Sequence, residues 1–224
     1  MDRLHRTRLL FGDAAMQRLG EATVMVVGCG AVGSFAIEAL ARIGVGNLIL
    51  IDFDGVEESN INRQLFALDS TIGLAKVDVA AARISDINPK IRVTALNMFF
   101  DEAHTPDVTP DFVIDAIDSV PSKIALYKWC AARGVSFISS MGAARKTDPT
   151  QIRISKISKT SVCPLAAKIR RIVRDENIAD FDVVYSVEPA DSTVSGREFG
   201  SLITVTGTFG LMMANFAVQK IVGK

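Results

Sequence analysis

The sequence predicts an α/β protein, a Rossmann-like, doubly wound and mainly parallel sheet with a smaller C-terminal subregion. Three observations lead there. The runs 23–27 and 47–51 are continuously apolar and β-branched, as in parallel strands buried on both faces. Between them Gly28-Cys29-Gly30-Ala31-Val32-Gly33 forms a GxGxxG turn that opens a helical pattern. Helix and strand patterns then alternate, the mark of right-handed βαβ crossovers.

Each element has its own signal. A basic N-terminal segment over 1–20, with Arg3, Arg6 and Arg8, contains a helix at 13–19 that Gly20 is expected to cap. The Rossmann-like core is expected to span 21–145. Its helix 34–43 stops at Gly44-Val45-Gly46, and the strand 47–51 ends at Asp52. A helix over 76–87 stops at Asn88-Pro89; 92–96 and 112–116 read as strands, 123–132 as a helix and 136–139 as a strand. After Gly142 the pattern shortens, which defines the subregion 146–224. There 151–157 is β-branched and polar, 164–174 is a basic helix, and 187–200 is the stretch expected to be a mobile loop. The apolar tract 202–222 is interrupted by Thr204, Thr206, Thr208, Asn215, Gln219 and Lys220, so it reads as a buried or dimer-facing helix without stable membrane insertion.

Composition narrows the class. A chain of 224 residues, 49% hydrophobic, with 25 basic and 25 acidic side chains, is an ordinary globular protein whose overall charge selects no partner. The three cysteines, Cys29, Cys130 and Cys163, are too few and too scattered for a disulfide framework or a CxxC zinc pair. No zinc site is expected. With a charged start at Met1-Asp2-Arg3, these features predict a cytoplasmic protein.

The chemistry follows from what surrounds the glycine turn. Gly28, Gly30 and Gly33 let backbone amides approach a phosphate, and Asp52 stands where a carboxylate accepts hydrogen bonds from ribose hydroxyls. A dinucleotide-binding dehydrogenase would need a proton-handling side chain, yet His5 and His104 lie in the N-terminal segment and in a loop. The loop Asn60-Ile61-Asn62-Arg63-Gln64 and Lys76, which opens the next helix, instead gather cations and amides at the phosphate end. A triphosphate attacked at its α-phosphorus needs such cations. At the end of the strand 112–116, Asp118 beside Ser119 is the candidate magnesium ligand, since that ion pairs one or two carboxylates with phosphate oxygens; Asp115 reads as structural. ATP and magnesium are therefore the expected cofactors.

These motifs in this order, namely the turn 28–33, Asp52-Phe53-Asp54, Asn60-x-x-Arg63-Gln64, Lys76 and Asp115-x-x-Asp118-Ser119, resemble the ThiF/MoeB/HesA superfamily of ubiquitin-activating-enzyme-like proteins. The resemblance covers nearly the whole chain. It implies that Asp52 binds ribose, Asn60 and Arg63 face the phosphates, Lys76 holds the α- or β-phosphate and Asp118 serves the metal, with Arg63, Lys76 and Asp118 catalytic. It also implies a homodimer in which an N-terminal arginine, Arg6 or Arg8, reaches across the interface. The stretches 113–120, 148–152, Lys159-Thr160, 164–168 and 200–210 are similar to the branch of the superfamily that dehydrates threonylcarbamoyladenosine in tRNA, through an acyl-adenylate that releases AMP and pyrophosphate. Other branches activate the C-terminal glycine of small sulfur-carrier proteins, which leaves a sulfur-transfer partner open, as well as a non-catalytic NAD-binding protein. Cys163, the one thioester candidate, reads as an incidental thiol.

Local charge agrees with a nucleic-acid partner. From Pro149 to Arg174 the chain has no acidic residue, while Lys156, Lys159, Lys168, Arg170, Arg171 and Arg174 offer candidate contacts to tRNA phosphates. No aromatic residue is interleaved among them, so base stacking is not expected in that patch.

Overall fold

The computed structural model describes residues 2–189 and 199–223. The strands are β1 (Thr23–Val27), β2 (Asn47–Asp52), β3 (Arg92–Asn97), β4 (Phe112–Asp115), β5 (Ser136–Ser140), β6 (Ile152–Lys156) and β7 (Asp182–Ser186). They form one sheet in the order β3-β2-β1-β4-β5-β7-β6, parallel throughout except for β6, which runs antiparallel to β7. The strands of the 146–224 stretch thus extend the sheet of the core.

The helices are α1 (His5–Phe11), α2 (Asp13–Glu21), α3 (Gly33–Ile43), α4 (Lys76–Ile87), α5 (Val120–Arg133), α6 (Pro164–Asp175) and α7 (Ile203–Val222). Successive strand residues point to opposite faces. Val24, Val26, Leu48, Leu50 and Ile114 therefore pack with α2, α3, α4 and α7, whereas Met25, Val27, Ile49, Ile51 and Val113 meet α5. Beyond β5, Val183 and Tyr185 of β7 meet α6 through Ala166, Ile169 and Val173. One face of the apolar tract 202–222 packs into the core, where Gly210 would place a Cβ 2.2 Å from the Val32 carbonyl oxygen and Ala214 is fully buried, while Leu202, Ile203 and Leu211 stay exposed. No helix among the described residues is long and apolar enough to cross a membrane.

Several boundaries differ from the sequence reading. Gly20 does not cap α2, which runs on to Glu21 and passes into β1 through the extended Ala22. Helix α5 starts at Val120, ahead of residue 123, because Pro121 in a first turn lacks only an amide that would have no intrahelical partner. Helix α1, in the basic N-terminal segment, buries none of its residues and so carries no apolar periodicity to read. Strand β7, in the interval between the basic helix and the loop, has only five residues and takes its parallel partner from distant β5. Most of the stretch 187–200 lies outside the described residues.

Candidate active site

Strands β1 and β4 are neighbours, yet β1 leads into α3 on one face and β4 into α5 on the other. Ligands of open α/β sheets bind at such a switch point, beyond the carboxyl ends of the strands. A cavity of about 1010 Å³ lies there, and its wall includes Gly28, Gly30, Asp52, Arg63, Gln64, Lys76, Asp118 and Ser119.

The glycine turn is shaped by close contact. Gly28 adopts a φ of +94° while its amide donates to the Ile51 carbonyl at 2.7 Å. A Cβ on Gly33 would sit 1.7 Å from the Gly28 oxygen, so only glycine lets α3 begin against the end of β1. The positive end of α3 thereby meets the cavity at Gly30, Ala31 and Val32, a setting suited to phosphate. Asp52 braces the turn, its carboxylate accepting from the Cys29 amide at 2.6 Å and the Asp54 amide at 2.9 Å. Burial pushes the Asp52 carboxyl above the ordinary carboxylate range, against those two amide bonds. Each carboxylate oxygen keeps a lone pair for a further donor, which is what ribose hydroxyls require.

The two cations of the cavity wall are held in place by protein partners. Lys76 is 6% exposed, and its Nζ lies 2.7 Å from Asp54 Oδ2. Arg63 donates through Nη1 to the Ser59 carbonyl at 2.7 Å and to Asn62 Oδ1 at 2.8 Å. Asn60 is buried outside the cavity wall, its Oδ1 accepting from the Glu57 amide and closing the turn that carries Arg63. Asp118 is exposed in the wall, whereas Asp115 is fully buried, 2.8 Å from Lys123 Nζ and 2.5 Å from Ser139 Oγ.

Other candidates lie apart. Arg6 and Arg8 sit on α1, outside the cavity wall, and Arg8 pairs with Asp2 and Asp13. Of the basic patch, Lys159, Lys168 and Arg171 are exposed, Lys156 pairs with Asp182, Arg174 pairs with Asp175, and Arg170 donates to the Thr160 carbonyl. Cys29 is fully buried, and burial raises its thiol well above the usual range; burial also pushes Cys130 up to about 12. Both stay as thiols, with no nucleophilic anion on offer. Sequence reasoning gave no role to Asp54, Lys123, Arg145 or Phe199. Asp54 alone had a visible signal, its place in the quoted Asp52-Phe53-Asp54 motif.

A doubly wound sheet with a glycine turn, a carboxylate at the end of β2 and two cations around one switch-point cavity defines an α/β protein of the nucleotide-binding type. The chain belongs to the ThiF family, whose model matches residues 4–224. It is 49% identical over 187 residues to a tRNA threonylcarbamoyladenosine dehydratase of Bacillus subtilis (strain 168), covering 82% of this chain and 74% of that protein. The crystal structure of the E. coli tRNA N6-threonylcarbamoyladenosine dehydratase TcdA in complex with ATP matches with a TM-score of 0.93 at 39% identity, over 99% of this chain and 94% of that one. The AMP complex of that enzyme matches with the same TM-score, at 40% identity and the same coverage of both chains.

Proposed function

We propose that this protein is an ATP-dependent dehydratase of threonylcarbamoyladenosine in tRNA. The observation that carries this reading is the cavity at the β1/β4 switch point, set in a fold that superposes over almost its full length on a relative solved with both ATP and AMP. The carboxylate of the threonylcarbamoyl group attacks the α-phosphorus of ATP and expels pyrophosphate, leaving an acyl-adenylate. A neighbouring nitrogen or oxygen of the same modification then attacks the activated carbonyl and releases AMP. The net change in the tRNA is loss of one water. Ring closure within one group avoids the entropy of recruiting a second molecule.

The side chains divide this work. Asp52 orients the ribose, the α3 N-terminus and glycine amides cradle phosphate, and Lys76 and Arg63 neutralise charge that builds on the attacked and departing groups. Asn60 serves from behind by holding the Arg63 turn. Magnesium fits the one carboxylate on offer there: Asp118 is exposed in the wall, as a site sharing the ion with phosphate oxygens requires. When bound, it supplies further charge neutralisation at the phosphates. On α1, Leu9 and Leu10 are 69% and 74% exposed, which suits docking of a second copy and delivery of Arg6 to that copy's cavity. Light scattering should then give the mass of a dimer; a monomer removes this part. The exposed basic patch on and before α6 takes tRNA phosphates, so tRNA affinity should fall steeply as salt rises.

The deciding assay supplies magnesium, ATP and either modified tRNA or tRNA lacking threonylcarbamoyladenosine, and follows AMP, pyrophosphate and nucleoside mass. AMP release with loss of one water from the nucleoside, with modified tRNA alone, is the expected result. No tRNA-dependent AMP would overturn the reading and favour carrier-protein adenylation. Cys163 is buried in the cavity wall, but because the route uses no enzyme thiol, Cys163→Ala should leave activity largely intact; a loss of about a thousandfold, beyond that of a wall contact, would install a thioester step in its place.

A further inference from the structure

The cavity reaches well beyond its phosphate end. At about 1010 Å³ it stands at the upper limit of the roughly 300–1,000 Å³ typical of small-ligand sites, and its wall continues from the glycine turn through 140–146 to Phe199 and Ser201. There the Arg145 guanidinium lies 4.2 Å from the centre of the Phe199 ring, and both line the cavity. Phe199 is 60% exposed, a placement that water disfavours for a ring of this size.

The pair is built into the frame around it. Arg145 is held at a φ of +58°, and its amide donates to the Gly200 carbonyl at 2.9 Å, which fastens the 142–146 loop to the segment carrying Phe199. One residue further on, the Ser201 carbonyl accepts from Asn62, the neighbour and hydrogen-bond partner of Arg63. An exposed ring and a planar cation are therefore anchored on one side to the far loop and on the other to the phosphate turn.

We propose that Arg145 and Phe199 form the stacking platform for the purine base of the substrate nucleoside. The proposal rests on the tRNA reading above. Proteins that act on a nucleoside within RNA take its base out of the stack and hold it against aromatic rings or arginine planes. With the base on this platform, the group attached to it extends along the wall toward the phosphate end, where its carboxylate meets the α-phosphate. The basic patch contributes charge alone, and recognition of the modified purine falls to this pair.

The test is steady-state AMP release by wild type, Phe199→Ala, Phe199→Tyr and Arg145→Lys, with modified tRNA and ATP varied separately. Stacking worth about 1–3 kcal/mol per base corresponds to a roughly 5- to 150-fold rise in the KM for tRNA in Phe199→Ala. The KM for ATP should move less than about twofold. Phe199→Tyr, which keeps the ring, should restore the tRNA KM, and Arg145→Lys, which keeps the charge without the plane, should raise it. An unchanged tRNA KM in Phe199→Ala overturns the platform and leaves the tRNA reaction standing. A rise in the ATP KM instead would give the ring to the adenine of ATP and also overturn it. Wild type that releases no AMP with tRNA overturns the underlying reading and the platform together.

Discussion

Replacement of Lys76 by alanine should lower kcat/KM for tRNA-dependent AMP release by about 10²- to 10³-fold, the scale of losing one preorganised electrostatic contact. The reason begins with where this cation stands. Lys76 is the first residue of α4, where the positive end of the helix dipole disfavours it, and its side chain is only 8% exposed. A desolvated cation at a helix N-terminus needs a nearby anion. Asp54 provides it at 2.7 Å, and the cavity position provides for a second in the phosphates. In that partly buried setting a charge acts through a lower dielectric than water, so its effect on a developing phosphate charge is large. Stability should move little, because Asp54 is 47% exposed and can be solvated when its partner goes. Measured together, a steep loss of turnover with a nearly unchanged unfolding midpoint is the expected pair of results. A loss below tenfold would remove Lys76 from the phosphate chemistry.

The contrast between Lys76 and Lys123 shows what could be read from the chain alone. The position of Lys76 at the cavity was legible because a local pattern announced it: helix 76–87 has an apolar period, a clear stop at Asn88-Pro89, and an opening residue at the carboxyl end of the sheet. The glycine turn and Asp52 were legible for the same reason, since strand, turn, helix and strand follow one another without a gap. Lys123 offered no such signal. Its partners Asp115, Ser139 and Ser140 come from β4 and β5, and a lysine near the start of a helix reads as a solvated charge until the strands close around it. The Arg145–Phe199 contact was hidden in the same way, joining two loops that only the sheet brings together. Asn60 marks a different limit: its place in the motif was visible, but whether its amide turns toward ligand or toward the Glu57 backbone depends on the loop's own hydrogen bonds.

Lys123 carries the largest expected effect on stability. Its Nζ is fully buried and has three acceptors, Asp115 Oδ2 at 2.8 Å, Ser140 carbonyl oxygen at 2.8 Å and Ser139 Oγ at 3.3 Å. Asp115 is equally buried and also accepts from Ser139 Oγ and the Ile117 amide, while the Tyr127 hydroxyl lies 2.7 Å from Ser139 Oγ. Burial holds that phenol well above its usual range, so it remains a neutral hydrogen-bonding group. Lys123→Met fits the space of the alkyl stem but strands a carboxylate without its counter-charge. Breaking a buried pair from one side costs about 3–5 kcal/mol. At roughly 2–4 °C per kcal/mol for a domain of this size, the Tm should fall by about 6–20 °C. Lys123→Met with Asp115→Asn removes both charges and should recover part of that loss in urea unfolding, because the cost lies mainly in the unpaired charge. A single-variant cost under about 1 kcal/mol, or a double variant as unstable as the sum of its parts, would contradict the pairing. Because the network joins the ends of β4 and β5, which carry Asp118 and the 140–146 wall, folded Lys123→Met should also turn over more slowly. That loss would tie the buried pair to the geometry of the cavity above it.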